Sequence, residues 1–259
     1  MPEPAPPRVA LVTGASSGIG WALARVLALE EGYAVGLVAR RADRLEALAE
    51  EIRAAGGRAA WAEADVGDRD AMRAAAAAIA RELGPVELFV ANAGMASGTP
   101  ALAPDAAGFE REVRTNLLGA FYGIEAVVPG MVERGRGHVV AVSSLAARRG
   151  FPGSGGYCAT KIALTRLMES LRLDWKPAGI YATTVHPGFV KSEITDSQNR
   201  PLPFLMDTEP AARRIARAIR LKRKRCNFPW PAALLSRVAS ALPDALLLRM
   251  HHRSEPAED

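Results

Sequence analysis

Val9-Ala10-Leu11-Val12-Thr13-Gly14-Ala15-Ser16-Ser17-Gly18-Ile19-Gly20 is an apolar, β-rich run that passes directly into a turn with three glycines. Glycine lacks a Cβ, so residues 14, 18 and 20 let the chain turn tightly and let a ligand approach the backbone. The turn opens a helix-length stretch, Ile19–Glu31, and the first N–H groups of a helix favour an anion. Strand, glycine turn and helix in this order read as a dinucleotide pyrophosphate site; out of that context the same glycines are only a sterically required loop.

Outward from that stretch the hydrophobic pattern alternates between two periods. Short apolar runs lie at Ala34–Ala39, Ala59–Trp61, Leu88–Ala91, His138–Ser143 and Tyr181–Val185. They are too short for helices and suit buried parallel strands. Helix-length stretches lie between and after them, at Arg44–Ala55, Arg69–Leu83, Phe109–Glu133, Tyr157–Trp175 and Glu209–Leu221, with Gly32, Gly56 and Gly84 where helix C-caps belong. The alternation predicts an α/β fold, doubly wound, with a parallel sheet and helices on both faces.

The 259 residues, 49% hydrophobic and 24% charged, fit an ordinary globular chain with a substantial core. Two cysteines, Cys158 and Cys226, cannot build a disulfide scaffold or a four-cysteine metal site, so no metal centre is expected. Met1 to Arg8 is Pro-rich without the layout of a signal peptide, and no apolar run approaches the ~20 residues of a membrane span. A reducing, cytoplasmic location is the expectation. The net charge of +5 is uneven: residues 200–225 hold nine basic groups against Asp207 and Glu209. Such a confined excess does not by itself make a nucleic-acid binder, and no nucleic-acid partner is expected.

The second strand bears on which dinucleotide binds. About 20 residues after the glycines, an NAD site places an acid on the ribose 2′-OH, whereas an arginine accommodates a 2′-phosphate. Here the strand ends Leu37-Val38-Ala39-Arg40-Arg41, and the nearest acid, Asp43, is already in the next helix. Arg40, with Arg41 beside it, offers a permanently charged fork to a phosphate. NADP(H) is expected ahead of NAD(H).

Tyr157-Cys158-Ala159-Thr160-Lys161 puts Tyr157 and Lys161 at i and i+4 on one helical face. A phenol titrates near ~10, and an adjacent ammonium together with a cationic nicotinamide lowers it towards a useful proton shuttle. Ser144 follows the strand beginning at His138, at the edge where open α/β sheets bind ligands, 13 residues before Tyr157. Ser143 is the competing hydroxyl. Cys158 has no nucleophile's partner, and His186 reads as a strand-end residue.

With these pieces the sequence resembles the short-chain dehydrogenase/reductase family over about residues 8–192. The resemblance rests on Thr13–Gly20, Asp65-Val66, Asn92-Ala93-Gly94, Asn116, Ser143-Ser144, Tyr157 with Lys161, and Pro187-Gly188 with Ser192. It implies a Rossmann-type fold and hydride transfer between a nicotinamide and a carbonyl or alcohol carbon. It implies that Tyr157 is the general acid/base and that Ser144 hydrogen-bonds the substrate oxygen. Lys161 would bind the nicotinamide ribose and depress the phenol, and Asn116 would hold a water of the proton relay; satisfying a buried backbone group is the alternative for Asn116. Cofactor contacts would come from Gly14, Ser16, Ser17, Gly18, Ile19, Gly20, Arg40, Arg41, Asp65, Val66, Asn92, Ala93, Gly94, Tyr157, Lys161, Pro187, Gly188, Val190 and Ser192. A homodimer or homotetramer is expected.

Residues 1–225 read as one catalytic domain with a substrate loop at about 189–206, and 226–259 as a helical extension packing on the substrate cleft or an interface. Arg225–Trp230 suits a last strand, and 232–250 suits two short amphipathic helices broken at Pro243-Asp244. Phe189, Leu202, Phe204, Leu205 and Met206 suggest an apolar pocket under a lid and a hydrophobic substrate. Five basic groups within 220–225 admit three readings: a solvated helix end, peripheral contact with anionic lipid, or attraction of a phosphate-bearing carrier. The competing functions are a catalytically silent dinucleotide sensor or scaffold, and an epimerase or dehydratase; the intact Ser-Tyr-Lys set argues against the first, and the glycine spacing and short chain against the second.

Overall fold

The computed structural model describes residues 8–196 and 202–245. Pro201 of the substrate loop, Arg200 of the basic segment and the chain after Ala245, including most of the second expected tail helix, lie outside the described residues.

Seven strands form one sheet: β1 (Val9–Thr13), β2 (Ala34–Ala39), β3 (Arg58–Glu63), β4 (Val86–Ala91), β5 (Gly137–Val142), β6 (Ile180–Pro187) and β7 (Arg225–Phe228). Their spatial order is β3-β2-β1-β4-β5-β6-β7 and every neighbouring pair is parallel. A continuous apolar strand suits a sheet covered on both faces, and all of β1 and β2 is buried.

Period-2 alternation divides the core. Ala10 and Val12 of β1 face a layer with Leu23 and Leu27 of α1 (Gly18–Leu29), Leu45, Leu48 and Ile52 of α2 (Ala42–Ala54) and the later helix that carries Ile215. Val9 and Leu11 face Met72 and Ile79 of α3 (Arg69–Leu83), with Phe89, Met131, Leu164 and Met168 beyond. The chain order of the strands reverses between β1 and β4, so a crevice opens at their carboxyl ends, where ligands bind in such sheets.

The expected helix Phe109–Glu133 is interrupted. α4 (Ala106–Val113) and α5 (Gly119–Glu133) are joined by a π-helical turn, Arg114–Leu118. A π-turn inserts one extra residue into a helical ladder, and here it carries Asn116, whose side chain bonds inward to the Met95 backbone. Gly32, Gly56 and Gly84 all take positive φ where helix ends were expected. After α6 (Gly155–Trp175) and β6, the loop contains a four-residue helix, α7 (Glu193–Asp196), and a bridge between Val190 and Met206. α8 (Thr208–Arg220) then leads to β7. The boundary expected at 225/226 falls inside β7: Phe228 is buried in the sheet, and the helical extension begins with α9 (Trp230–Ala241).

Candidate active site

Thr13 and Asn92 set the geometry of the glycine turn. Thr13 Oγ1 donates to the Val90 carbonyl (3.2 Å) and accepts from the Asn92 N–H (3.1 Å), while Asn92 Nδ2 donates to the Thr13 carbonyl (2.9 Å). The fit is tight enough to require glycine: a Cβ on Gly20 would lie 2.2 Å from the Gly14 oxygen and 2.5 Å from Asn92 Nδ2. The α1 N-cap residue, Ser17, makes no side-chain cap, and the first turn holds no acid. The first N–H groups of α1 therefore have no side-chain competitor for an anion.

Arg41 lies across this turn. Its guanidinium donates to Ser16 Oγ (2.9 Å) and Ser17 Oγ (2.9 Å), and its other arm donates to Glu193 Oε1 (2.6 Å), which also accepts from Arg44 (2.9 Å). Arg40, the first-named phosphate ligand, has a side chain 75% exposed, with Nη1 4.0 Å from the Asp65 carboxylate. Of the two arginines it is Arg41 that the strand–helix junction brings to the turn, although both line the crevice. Asp65, Val66, Ala93, Gly94, Pro187, Gly188, Val190 and Ser192 line it too, whereas Gly20 and Asn116 stand behind its wall.

At the other end of the crevice, the hydroxyls after β5 divide their work. Ser143 Oγ donates to the Lys161 carbonyl (2.8 Å) and lies 2.8 Å from Thr165 Oγ1, tying α6 to the sheet. Ser144 faces the cleft, where its Oγ accepts the Ala146 N–H (3.1 Å), and Tyr157 lines the same cleft. Lys161, fully buried, donates from Nζ to the Val142 carbonyl (3.0 Å) and lies 5.6 Å from the centre of the Tyr157 ring. Gly94 leaves room for it: a Cβ there would be 3.2 Å from Lys161 Nζ and 3.4 Å from Asn116 Oδ1.

The electrostatics differ from the sequence expectation. Enclosure by protein raises the Tyr157 phenol above its ordinary value, with the nearby Ser144 hydroxyl pulling the other way. Burial also pushes the Lys161 ammonium down to about 8. The lysine sits over the ring face, and in the protein alone it does not offset the burial. Burial raises the Cys158 thiol as well, which keeps it from acting as a nucleophile. His186 is held down to about 4, chiefly by burial, with Nε2 3.3 Å from Thr165 Oγ1.

One contributor left no mark in the pattern. Glu112 is fully buried, and its Oε1 accepts both the N–H and the hydroxyl of Ser97, bracing the cleft wall against α4. A lone Glu in a helical stretch normally reads as solvated. Asn116 spends its amide on Met95 N–H (2.8 Å), Met95 carbonyl (2.9 Å) and Thr160 Oγ1 (3.1 Å). Its side chain thus satisfies buried backbone, the alternative that the sequence left open.

The cleft, about 730 Å³, extends from the glycine turn to α9. Phe189 and Phe204 line it, together with Phe151, Leu235 and Leu242; Leu205 is exposed and Met206 packs on the core. Arg149 anchors α9 by donating to the carbonyls of Ala239 (3.0 Å) and Leu242 and by pairing with Asp244. The basic segment meets acids from elsewhere: Arg213 pairs with Glu30, Arg220 with Glu31 and Arg225 with Glu169, and Lys222 stacks 4.0 Å over Tyr181. Among the described residues, no helix is long and apolar enough to cross a membrane.

Comparison with known proteins agrees with this fold. The family model for short chain dehydrogenases matches residues 8–202. An uncharacterized oxidoreductase of Myxococcus xanthus is 43% identical over 92% of this chain and 94% of its own. An alcohol dehydrogenase from Thermococcus sibiricus, solved with 5-hydroxy-NADP, superposes with a TM-score of 0.78 at 28% identity, covering 85% of this chain and 95% of that one. A short chain dehydrogenase/reductase from Burkholderia phymatum, solved with NAD, shares the fold over 98% of both chains with a TM-score of 0.82 at 23% identity. The chain belongs to the short-chain dehydrogenase/reductase family, and it is an oxidoreductase.

Proposed function

We propose that this protein transfers hydride between NADP(H) and a carbonyl or alcohol group of a small hydrophobic substrate. The observation that carries the reading is the convergence of Ser144, Tyr157 and Lys161 on the crevice whose other end holds Arg41 across the glycine turn. The residues fit a dinucleotide: α1 presents N–H groups without a side-chain cap, and the glycine turn leaves backbone accessible. Nicotinamide bound here supplies the hydride; the protein orients the reactants and manages the proton.

Ser144 would hold the substrate oxygen, and Tyr157, which lines the same cleft, would give that oxygen a proton in reduction or take one in oxidation. Lys161 would hold the ribose with its ammonium and stabilise the phenolate. Since both N–H donors of the Asn116 amide are engaged and its oxygen already accepts the Met95 N–H, a relay role for Asn116 would fall to its main-chain carbonyl within the π-turn. Gly14, Ser16, Ser17, Gly18 and Ile19 would take the pyrophosphate, Asp65 and Val66 the adenine, and Asn92 to Gly94 with Pro187, Gly188, Val190 and Ser192 the remainder.

The apolar wall of Phe151, Phe189, Phe204, Leu235 and Leu242 supports a hydrophobic substrate, and α9 would cap it as part of the C-terminal extension. Exposed Phe121 and Val132 on α5 support a homo-oligomer, and the free thiols Cys158 and Cys226 suit a reducing cytoplasm. NADPH consumption measured against a panel of hydrophobic aldehydes and ketones, with NADH in parallel, tests the reading. Turnover that prefers NADPH is expected; equal or better use of NADH would overturn the cofactor assignment.

A further inference from the structure

Glu193 puts an anion where the cofactor reading requires one. Its Oε1 accepts from both Arg41 (2.6 Å) and Arg44 (2.9 Å), and the same Arg41 guanidinium bonds the Ser16 and Ser17 hydroxyls of the glycine turn. One oxygen shared between two guanidinium groups is an arrangement that a phosphate monoester takes readily, with more charge and more acceptor oxygens than a carboxylate. Glu193 belongs to the segment that lies over the turn. A Cβ on Gly18 would sit 3.3 Å from the Ser192 Cβ, so the glycine lets residues 192–193 close down beside the arginine pair.

We propose that Glu193 is a cofactor-specificity residue: its carboxylate occupies the arginine pair that a ribose 2′-phosphate takes, and so opposes the phosphorylated dinucleotide selectively. The inference rests on the NADP(H) reading above. A dinucleotide with a free 2′-hydroxyl leaves Glu193 on Arg41 and Arg44 and meets no competition. One with a 2′-phosphate displaces Glu193, which also releases the 192–196 end of the substrate loop from α2. Phosphate recognition and loop position are thereby linked through one carboxylate, and the preference for NADP(H) is set below what Arg41 and Arg44 alone would give.

The test is calorimetric titration of the wild type, Glu193→Gln and Arg41→Ala with NADPH, NADH and adenosine 2′,5′-bisphosphate. Glu193→Gln keeps the shape and removes the charge. It is expected to tighten NADPH and the bisphosphate by about two- to fivefold, the scale of an exposed ion pair, and to leave NADH unchanged. No gain, weaker NADPH, or an equal change for NADH would overturn the proposal. Arg41→Ala separates the two readings. If Arg41→Ala weakens NADPH and NADH alike, the NADP(H) assignment itself fails. If it weakens NADPH selectively while Glu193→Gln gains nothing, only the role of Glu193 fails.

Discussion

Ser143 Oγ lies 2.8 Å from Thr165 Oγ1 and donates to the Lys161 carbonyl, so the first of two adjacent serines is committed to holding α6 against β5. Both serines line the cleft, but of their hydroxyls only that of Ser144 is spared this tie. We therefore predict opposite outcomes for two neighbouring substitutions. Ser144→Ala should cut kcat by ~10²–10³ with little change in stability. Ser143→Ala should lose ~1–2 kcal/mol of stability and far less activity. Steady-state kinetics and urea unfolding on both variants check the division.

Tyr157→Phe removes the proton and keeps the ring. Turnover should fall by ~10²–10⁴, the range for loss of a positioned acid/base, while the Kd for NADPH stays within a few-fold. Substantial remaining turnover would reject the acid/base role; the measurements are single-turnover rates and a cofactor titration.

Glu112→Ala removes the acceptor that ties the Ser97 N–H to a buried side chain of α4, while the Ser97 hydroxyl keeps the Gly108 carbonyl (3.1 Å). The expected cost is ~2–3 kcal/mol. Glu112→Gln, which retains an acceptor oxygen, should lose less. A denaturation series that ranks wild type, Gln and Ala in that order supports the bracing role.

His138 and His186 are both held down to about 4, mainly by burial. An unfolded histidine titrates near ~6.5, so between these values the unfolded chain binds more protons than the folded one. The contribution of these two histidines should be level from pH 6.5 to 7.5 and fall as pH drops from 6.5 towards 4, by at most ~3 kcal/mol per histidine. Denaturation at pH 7.5, 6.0 and 5.0 checks the slope. His138→Gln, which keeps a partner for Thr183 Oγ1 (2.8 Å from Nε2) without titrating, should flatten it.

Arg149→Ala frees the carbonyl end of α9, whose Leu235 and Ala239 line the cleft. KM for an apolar substrate should rise several-fold with kcat nearly unchanged, and trypsin should cut faster at Arg237. An unaltered KM would separate α9 from substrate binding.

The fold was legible because each strand and helix announces itself locally. A continuous apolar run such as Val9–Thr13 can only be a covered strand, and the alternation with helices admits few topologies. The order of the chemistry, from glycine turn to Tyr157 and Lys161, is likewise written along the chain, since a motif's spacing survives without knowledge of the rest. Roles that depend on residues far apart were not legible. Arg40 and Arg41 are adjacent and alike in sequence, and only the path of the chain into α2 turns Arg41 to Ser16 and Ser17. Glu112 and Glu193 look like ordinary helix or loop residues until Ser97 and Arg44 are brought against them, and the chain does not show that Met95 takes up the Asn116 side chain. Arg213, Arg220 and Arg225 read as one basic block, yet they meet Glu30, Glu31 and Glu169 from other parts of the chain. Backbone propensity and hydrophobic period are short-range and reside in neighbours along the chain; hydrogen bonds, burial and charge pairing act through space, and the folded chain alone assigns their partners.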